Sequence, residues 1–477
     1  MSITKPATGE PAFEGYAGSY LKRFRDVWNV RETILIVCDG SIAPRERIWD
    51  FTLTEVIASI EASHWFKFVV ATRNGEFKEI RVPLPISPQG NALASGPVPP
   101  VADPDYEGFR FDRPEVLARL NDFGQIWLMG ALGSGESNNP LSDAELAILV
   151  AWMNRGGGVL AAGDHEEMGA AIASRIPRVN SMRRWLDADE VPDQYDSDRL
   201  ETTRPGTIAE ALGAQVSDQA ERDLVAQQIE WVPEYVGPAH STPHPLLCHP
   251  RLGPIDVLPD HMHEGRCYDP QSADWQQRFT ASQYSFGSVA GDVYPSAVAG
   301  GSRPLPRVVA WGNTLAAPPL KFYGGPQEAR RFRLILAYDG RPAGVGRVVT
   351  DSTWHHWFDY NLEGFAGNRE HEFSRKIYRY WLNVALWLSR SARITGLVLS
   401  EIKDNEFKFF GRQMVDLKAP SYQVGRATIA WLGASLSPAS CAVLPTSWRP
   451  SFLPAPCRLR TMACARPASR RSKSCRR

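Results

Sequence analysis

The chain reads as an α/β protein: a doubly wound, mostly parallel sheet with a long loop-rich insertion. Short apolar runs alternate with amphipathic helical stretches, as βαβ units require. Those runs are continuous rather than alternating, the pattern of strands covered on both faces. Several of them end in Gly-rich or acidic turns, where an open α/β sheet places its ligands. With 477 residues, 43% of them hydrophobic and 15 of them Trp, there is material for a sizeable core.

Thr33 to Cys38 (TILIVC) is the first strand, ending at Asp39-Gly40, and Arg47 to Ala62 is an amphipathic helix. Phe66 to Thr72 is the second strand. A Pro-rich excursion over Pro83 to Pro104 precedes a helix over Pro114 to Phe123. Gln125 to Met129 is the third strand and runs into the Gly-rich turn Gly130 to Gly135 (GALGSG). Ser142 and Glu145 form an S-x-x-E capping box that starts a helix reaching about Asn154. Val159 to Ala162, bounded by glycines, is the fourth strand. A helix is expected from Glu167 to about Leu186. Residues 187–305 are rich in Pro, Asp and Gly, with one helical patch near Asp218 to Ile229, and read as the insertion. Arg307 to Trp311, Arg331 to Ala337 and Gly346 to Thr350 are three further strands, and Ser374 to Leu388 is an apolar helix that packs on the sheet. The domain therefore spans 31–390, after an extension over 1–30 and before a linker over 391–416.

The net charge of zero hides an uneven distribution. No Asp or Glu follows Asp416, whereas 11 of the 53 Lys and Arg do, so residues 1–416 carry a net −11. Such a body has no general attraction for nucleic acid or anionic membrane. Residues 417–477 combine Arg, Ser, Ala, Pro and Cys without sustained periodicity. They read either as a basic disordered tail or, more simply, as an out-of-frame product of a GC-rich gene. Four of the seven Cys lie there; Cys38, Cys248 and Cys267 show no metal-site spacing. No apolar run has the length of a signal sequence or a membrane span, and a cytoplasmic protein is expected.

Candidate chemistry collects at strand ends. Asp39 follows the first strand. Asp164, His165, Glu166 and Glu167 follow the fourth, one residue past a Gly163 bend that points side chains up from the sheet. The same residues also suit a helix start, with Asp164 as N-cap and acids in the first turn. Asp260, His261, His263 and Glu264 (DHMHE) form an H-x-H cluster; in an extended segment both imidazoles share a face, which with the acids suits zinc, manganese or iron. The competing reading is a surface loop of histidines bonded to nearby acids. Asp351, His355 and His356 follow the strand GRVVT, where Trp354 and Trp357 equally suit an aromatic plug. GALGSG lacks the Gly-Lys-Ser/Thr of a phosphate loop. Ser134 and Cys38 are nucleophile candidates without an elbow of their own.

Taken together, GGGVLAAGDHEE at the bend and GRVVTDSTWHH before the last helix resemble the class I glutamine amidotransferase-like superfamily, in its ThuA-like branch, over residues 30–390. The Gly-x-His turn is matched by Gly163, Asp164 and His165. The late Gly-Arg-Val strand and its histidine are matched by Gly346, Arg347, Val348 and His355 or His356. His244-Pro245-Leu246-Leu247 is similar to the stretch preceding the family's acidic loop, whose place PDHMHEG takes. The resemblance implies a flavodoxin-like sheet. Where amidotransferases carry an elbow cysteine this chain has Asp164, so glutaminase activity is not expected.

The expectation is a hydrolase or related enzyme acting on a small polar, sugar-like substrate. His165 is its general base, His355 or His356 the partner, and Asp164 or Glu166 the orienting acid. Asp39 belongs to the same rim. A divalent metal, zinc or manganese, held by His261, His263, Asp260 and Glu264 is a variant. The alternative is a catalytically inactive ligand-sensing or scaffolding module of a larger bacterial assembly. Neither reading depends on a membrane, and either is compatible with a homo-oligomer.

Overall fold

β-Branched and aromatic residues dominate the apolar runs, and they form a single ten-stranded sheet in the computed structural model. The structure describes residues 31–40, 42, 52–63, 65–79, 105–164, 167–185, 226–236, 241–259, 265–270, 283–313 and 331–390. Its strands are β1 (Glu32–Cys38), β2 (Phe66–Thr72), β3 (Lys78–Glu79), β4 (Tyr106–Glu107), β5 (Phe123–Met129), β6 (Gly158–Ala162), β7 (Glu230–Trp231), β8 (Arg307–Asn313), β9 (Arg331–Tyr338) and β10 (Val348–Asp351). They lie in the order β3-β4-β2-β1-β5-β6-β10-β9-β8-β7. The block from β4 to β10 is parallel, while β3, β9, β8 and β7 each pair antiparallel to a neighbour. The sheet is thus mostly parallel at its centre, with antiparallel edges.

The central strands are buried on both faces, and alternation sends their side chains into two cores. Ile34, Ile36, Trp127 and Leu160 join the core beneath helices α1 (Thr54–Glu61) and α6 (Glu372–Leu388). Leu35, Val37, Ile126 and Val159 join the opposite core, beneath α3 (Asp143–Asn154) and the short α4 (Ala170–Ala173). Two further short helices are α2 (Pro114–Leu117) and α5 (Glu363–Ala366). The α3 start is the expected capping box: Ser142 Oγ accepts from Glu145 N, and Glu145 Oε2 accepts from Ser142 N.

Register aligns the strand ends. Cys38 pairs with Thr72 and Met129, Met129 with Ala162, and Ala162 with Asp351. The carboxyl ends of five parallel strands therefore form one row, and the residues that follow it, Arg73, Asp39, Gly130, Gly163 and Ser352, make one rim.

Three helices are shorter than expected. Over 47–62 the helix is Thr54–Glu61, and residues 43–51 lie outside the described residues. Over 114–123 only Pro114–Leu117 is α-helical; a 3₁₀ turn follows, and Phe123 joins β5 by pairing with Thr33. Over 167–186 the helix is four residues long. Pro177 disfavours helix at Ile176, and Arg178 sits at φ +74, so the chain turns away and bridges Arg183 to Cys267.

Within 187–305 the described residues form short strands and hairpins, among them Gln283–Phe286 paired with Val289–Asp292, and β7, which edges the main sheet. Of the helical patch expected at 218–229, residues 218–225 lie outside the described residues, and Gln227–Gln228 is extended. Residues 1–30 and 391–477 also lie outside them, and with these the extension, linker and tail. Among the described residues no helix is long and apolar enough to cross a membrane.

Candidate functional site

The turn after β10 carries Asp351, His355 and His356, and its two histidines diverge. His356 is fully buried; its Nδ1 lies 2.8 Å from Asp351 Oδ2, and its carbonyl accepts from the Trp381 indole (3.0 Å). Asp351 Oδ2 also accepts from Trp357 Nε1 (3.2 Å) and Tyr380 OH (3.0 Å). Burial, then the Asp351 charge, pushes the Tyr380 phenol well above its ordinary value, so it stays a donor. Asp351 and His356 anchor the turn to α6.

His355 points instead to the rim. Its Nδ1 lies 2.9 Å from Asn361 Oδ1, and its Nε2 lies 3.2 Å from Asp164 Oδ2. Asp164 is fully buried and His355 is 6% exposed. The Trp354 indole donates to the same Nε2 (3.0 Å), and the His355 N–H donates to Thr353 Oγ1 (3.1 Å). An indole N–H can only donate, so with Trp354 engaged Nε2 bears a lone pair and Nδ1–H donates to Asn361. A proton on Nε2 faces Asp164 and gives up the indole. His355 thus has a partner for each protonation state of one nitrogen. Two polar atoms of the same turn, Ser352 Oγ and Asn361 Nδ2, are buried without a hydrogen bond among the described residues.

Asp164 is held from below: its carbonyl accepts from the buried Arg183 guanidinium, which also donates to the carbonyls of Arg184 and Arg266. Its N–H donates to Met168 O (3.1 Å), closing the turn after β6. Asp39 sits between β1 and β5, where strand order reverses, and accepts from Leu132 N at 2.6 Å. A Cβ on Gly130 would lie 2.5 Å from Asp39 Oδ2, so glycine is required for that approach. In the same Gly-rich turn, Ser134 Oγ and N both donate to Glu167 Oε2 at 3.1 Å.

Of the residues expected at the site, Asp39, Asp164 and His355 are placed along this rim, with Asp164 and His355 in contact, while His356 turns away to Asp351 in the core. His165 and Glu166 lie outside the described residues, as do Asp260, His261, His263 and Glu264. Gly265, next in chain, donates to Ser352 O (3.1 Å) in the His355 turn. Among the described residues no group of three or more His, Cys, Asp or Glu is arranged to hold a metal. Cys38 is buried, and burial with the Asp39 charge pushes its thiol well up; burial pushes Cys267 to about 11. Neither thiol supplies a thiolate at neutral pH. Sequence reasoning missed Asn361, Ser352 and Arg183; the first two fall within six residues of His355, and that proximity was the available signal. A separate cavity of about 300 Å³, lined in part by Glu234, His244, Asp269, Arg307 and Trp311, lies along the β7–β8 edge, and none of the described site candidates lines it.

No family model, curated protein or solved structure matches the chain.

Proposed function

We propose that the chain is an amidotransferase-like α/β hydrolase without an elbow thiol, acting on a small polar, carbohydrate-like substrate through His355. The observation that carries this reading is the clamp on His355, with Asn361 at Nδ1 and the buried Asp164 carboxylate at Nε2, on the rim where doubly wound sheets bind ligands. His355 Nε2 takes a proton from a water molecule as it attacks the substrate's acyl or glycosyl carbon, Asp164 stabilises the imidazolium that results, and the proton passes to the leaving group as its bond to that carbon breaks. The substrate takes the place of the Trp354 indole at that nitrogen. Ser352 Oγ and Asn361 Nδ2 offer it hydrogen bonds.

The strand order β2-β1-β5-β6-β10, which is the flavodoxin-like order, supports the resemblance. Asp164, which precedes His165 in sequence, and Gly265, which follows Glu264, both touch the His355 turn. The free Cys38, Cys248 and Cys267 thiols support a cytoplasmic setting.

One feature favours the alternative, a ligand-sensing module: both nitrogens of His355 already have partners and the pair is buried. A panel of chromogenic esters, amides and glycosides separates the two. The enzyme reading expects turnover by wild type that falls about 100-fold or more in His355→Gln and Asp164→Asn, with folding retained. Absence of wild-type turnover on the whole panel, or equal rates in His355→Gln, overturns it in favour of the module.

A further inference from the structure

At the opposite end of the strands from the rim, by the amino ends of β6 and β10, lies a buried cation with no acid paired to it among the described residues. Arg178 is 1% exposed. Its Nε donates to Val293 O (2.9 Å) and its Nη2 to Asn154 Oδ1, both neutral, while Nη1 is buried without a hydrogen bond among the described residues. Among the described residues no carboxylate forms an ion pair with it. Two other buried guanidinium groups do have one, Arg73 with Glu145 at 2.6 Å and Arg347 with Asp339 at 3.1 Å, while Arg183 is held by three backbone carbonyls.

Beside Arg178 is a second orphan. Tyr338 ends β9 fully buried, and its hydroxyl makes no hydrogen bond among the described residues. Its ring stands edge-on to Tyr294 at 4.9 Å, and the Tyr294 hydroxyl contacts Ser181 Oγ (2.8 Å) and donates to Arg178 O (3.4 Å). Burial pushes the Tyr338 phenol to about 12 although the Arg178 charge pulls the other way, so it remains an O–H donor. Asp339, the next residue, is turned to Arg341 (2.7 Å) and Arg347. Arg178 reaches this position from a left-handed backbone at φ +74, a conformation that an L-residue rarely adopts.

An uncompensated buried charge costs several kcal/mol, and a counter-ion removes that cost. We propose that Arg178 Nη1 and Tyr338 OH hold a halide-sized monovalent anion, a site remote from His355 and independent of what His355 does. Both residues are enclosed, at 1% and 0% exposure, which favours a small ion over an organic anion.

An ion bound by the native state alone raises its stability with concentration. Thermal unfolding of the full chain in sodium chloride or bromide, against sodium gluconate at equal ionic strength, is expected to show a saturable rise of about 3 °C. The rise shrinks in Tyr338→Phe and vanishes in Arg178→Gln. Broadening of the 35Cl resonance by wild type, reversed by bromide, tests the site without any variant. Equal melting in halide and gluconate together with no broadening, the result an ordered water would give, overturns the proposal. So does an unchanged halide response in Tyr338→Phe and in folded Arg178→Gln.

Discussion

Glu145 joins three segments through one carboxylate: it completes the α3 capping box, accepts from Phe111 N (3.1 Å) and pairs with Arg73 at 2.6 and 3.1 Å. Burial pushes its pKa up, but the Arg73 hydrogen bond and charge and the N–H groups of Ser142 and Phe111 outweigh that and hold it below the usual value. Glu145→Gln leaves Arg73 buried without its acid, so a loss of about 3–5 kcal/mol in denaturant unfolding is expected. Because the folded pKa is depressed, this stability is present above about pH 4.5 and is lost as pH falls through the folded value. A loss below about 1 kcal/mol would show that the pair does not carry the junction. The sequence shows the capping box, since Ser142 and Glu145 are three apart; it does not show Arg73, which is 72 residues away and reaches Glu145 only through tertiary packing. His355 follows the same rule. Its titratable partner Asp164 stood out in the sequence, and so did Trp354 as part of an aromatic plug, whereas Asn361 did not, because it does not titrate.

At the scale of elements, α1 begins without a cap of its own, since Leu53 at its N-cap makes no side-chain bond. The cap comes from Asp359, in the turn that carries His355: it accepts from Thr54 N (3.0 Å), Glu55 N (2.8 Å) and Thr52 Oγ1. A carboxylate at a helix N-terminus satisfies orphan donors and meets the positive end of the dipole. Asp359→Ala is therefore expected to cost about 1–2 kcal/mol and to speed amide exchange in 352–361 as well as in α1. Faster exchange confined to α1 would show that the cap does not brace the His355 turn. Strands were easier to read than helices here. A continuous apolar run such as TILIVC has few alternatives once both faces are covered, whereas the stretch after Gly169 has a helical composition and is broken by Pro177 and the left-handed Arg178. The short strands within 226–292 carry little periodicity, and their pairing is set by neighbours distant in sequence.

On the scale of the whole molecule, α6 spans the sheet and ties the rim to the outer-edge turn at His244. The imidazole of His244 packs edge-on against Trp387 of α6 at 5.3 Å, and its Nδ1 accepts from Leu246 N, while Asn383 donates to the carbonyls of Leu246 and Cys248. The turn therefore needs a neutral ring. Burial pulls the His244 pKa down to about 3, with Arg307 assisting and Asp339 opposing; burial and nearby cations pull the less enclosed His249 to about 4. Both folded values lie below the ordinary 6.5, so the unfolded chain takes up these protons first. Stability is then full above about pH 6.5 and falls as pH drops, by up to about 1.4 kcal/mol per unit for His244. Between pH 7 and 5 the Glu145 pair is still ionised, which isolates the histidines in that window. Urea unfolding across it should show a falling midpoint. His244→Asn keeps an acceptor for Leu246 N–H and removes the titration, so it should reduce the slope by about half and leave the His249 share. An unchanged slope in His244→Asn would mean that the buried imidazole is not what makes the fold acid-sensitive, and that α6 is held on this side by packing alone.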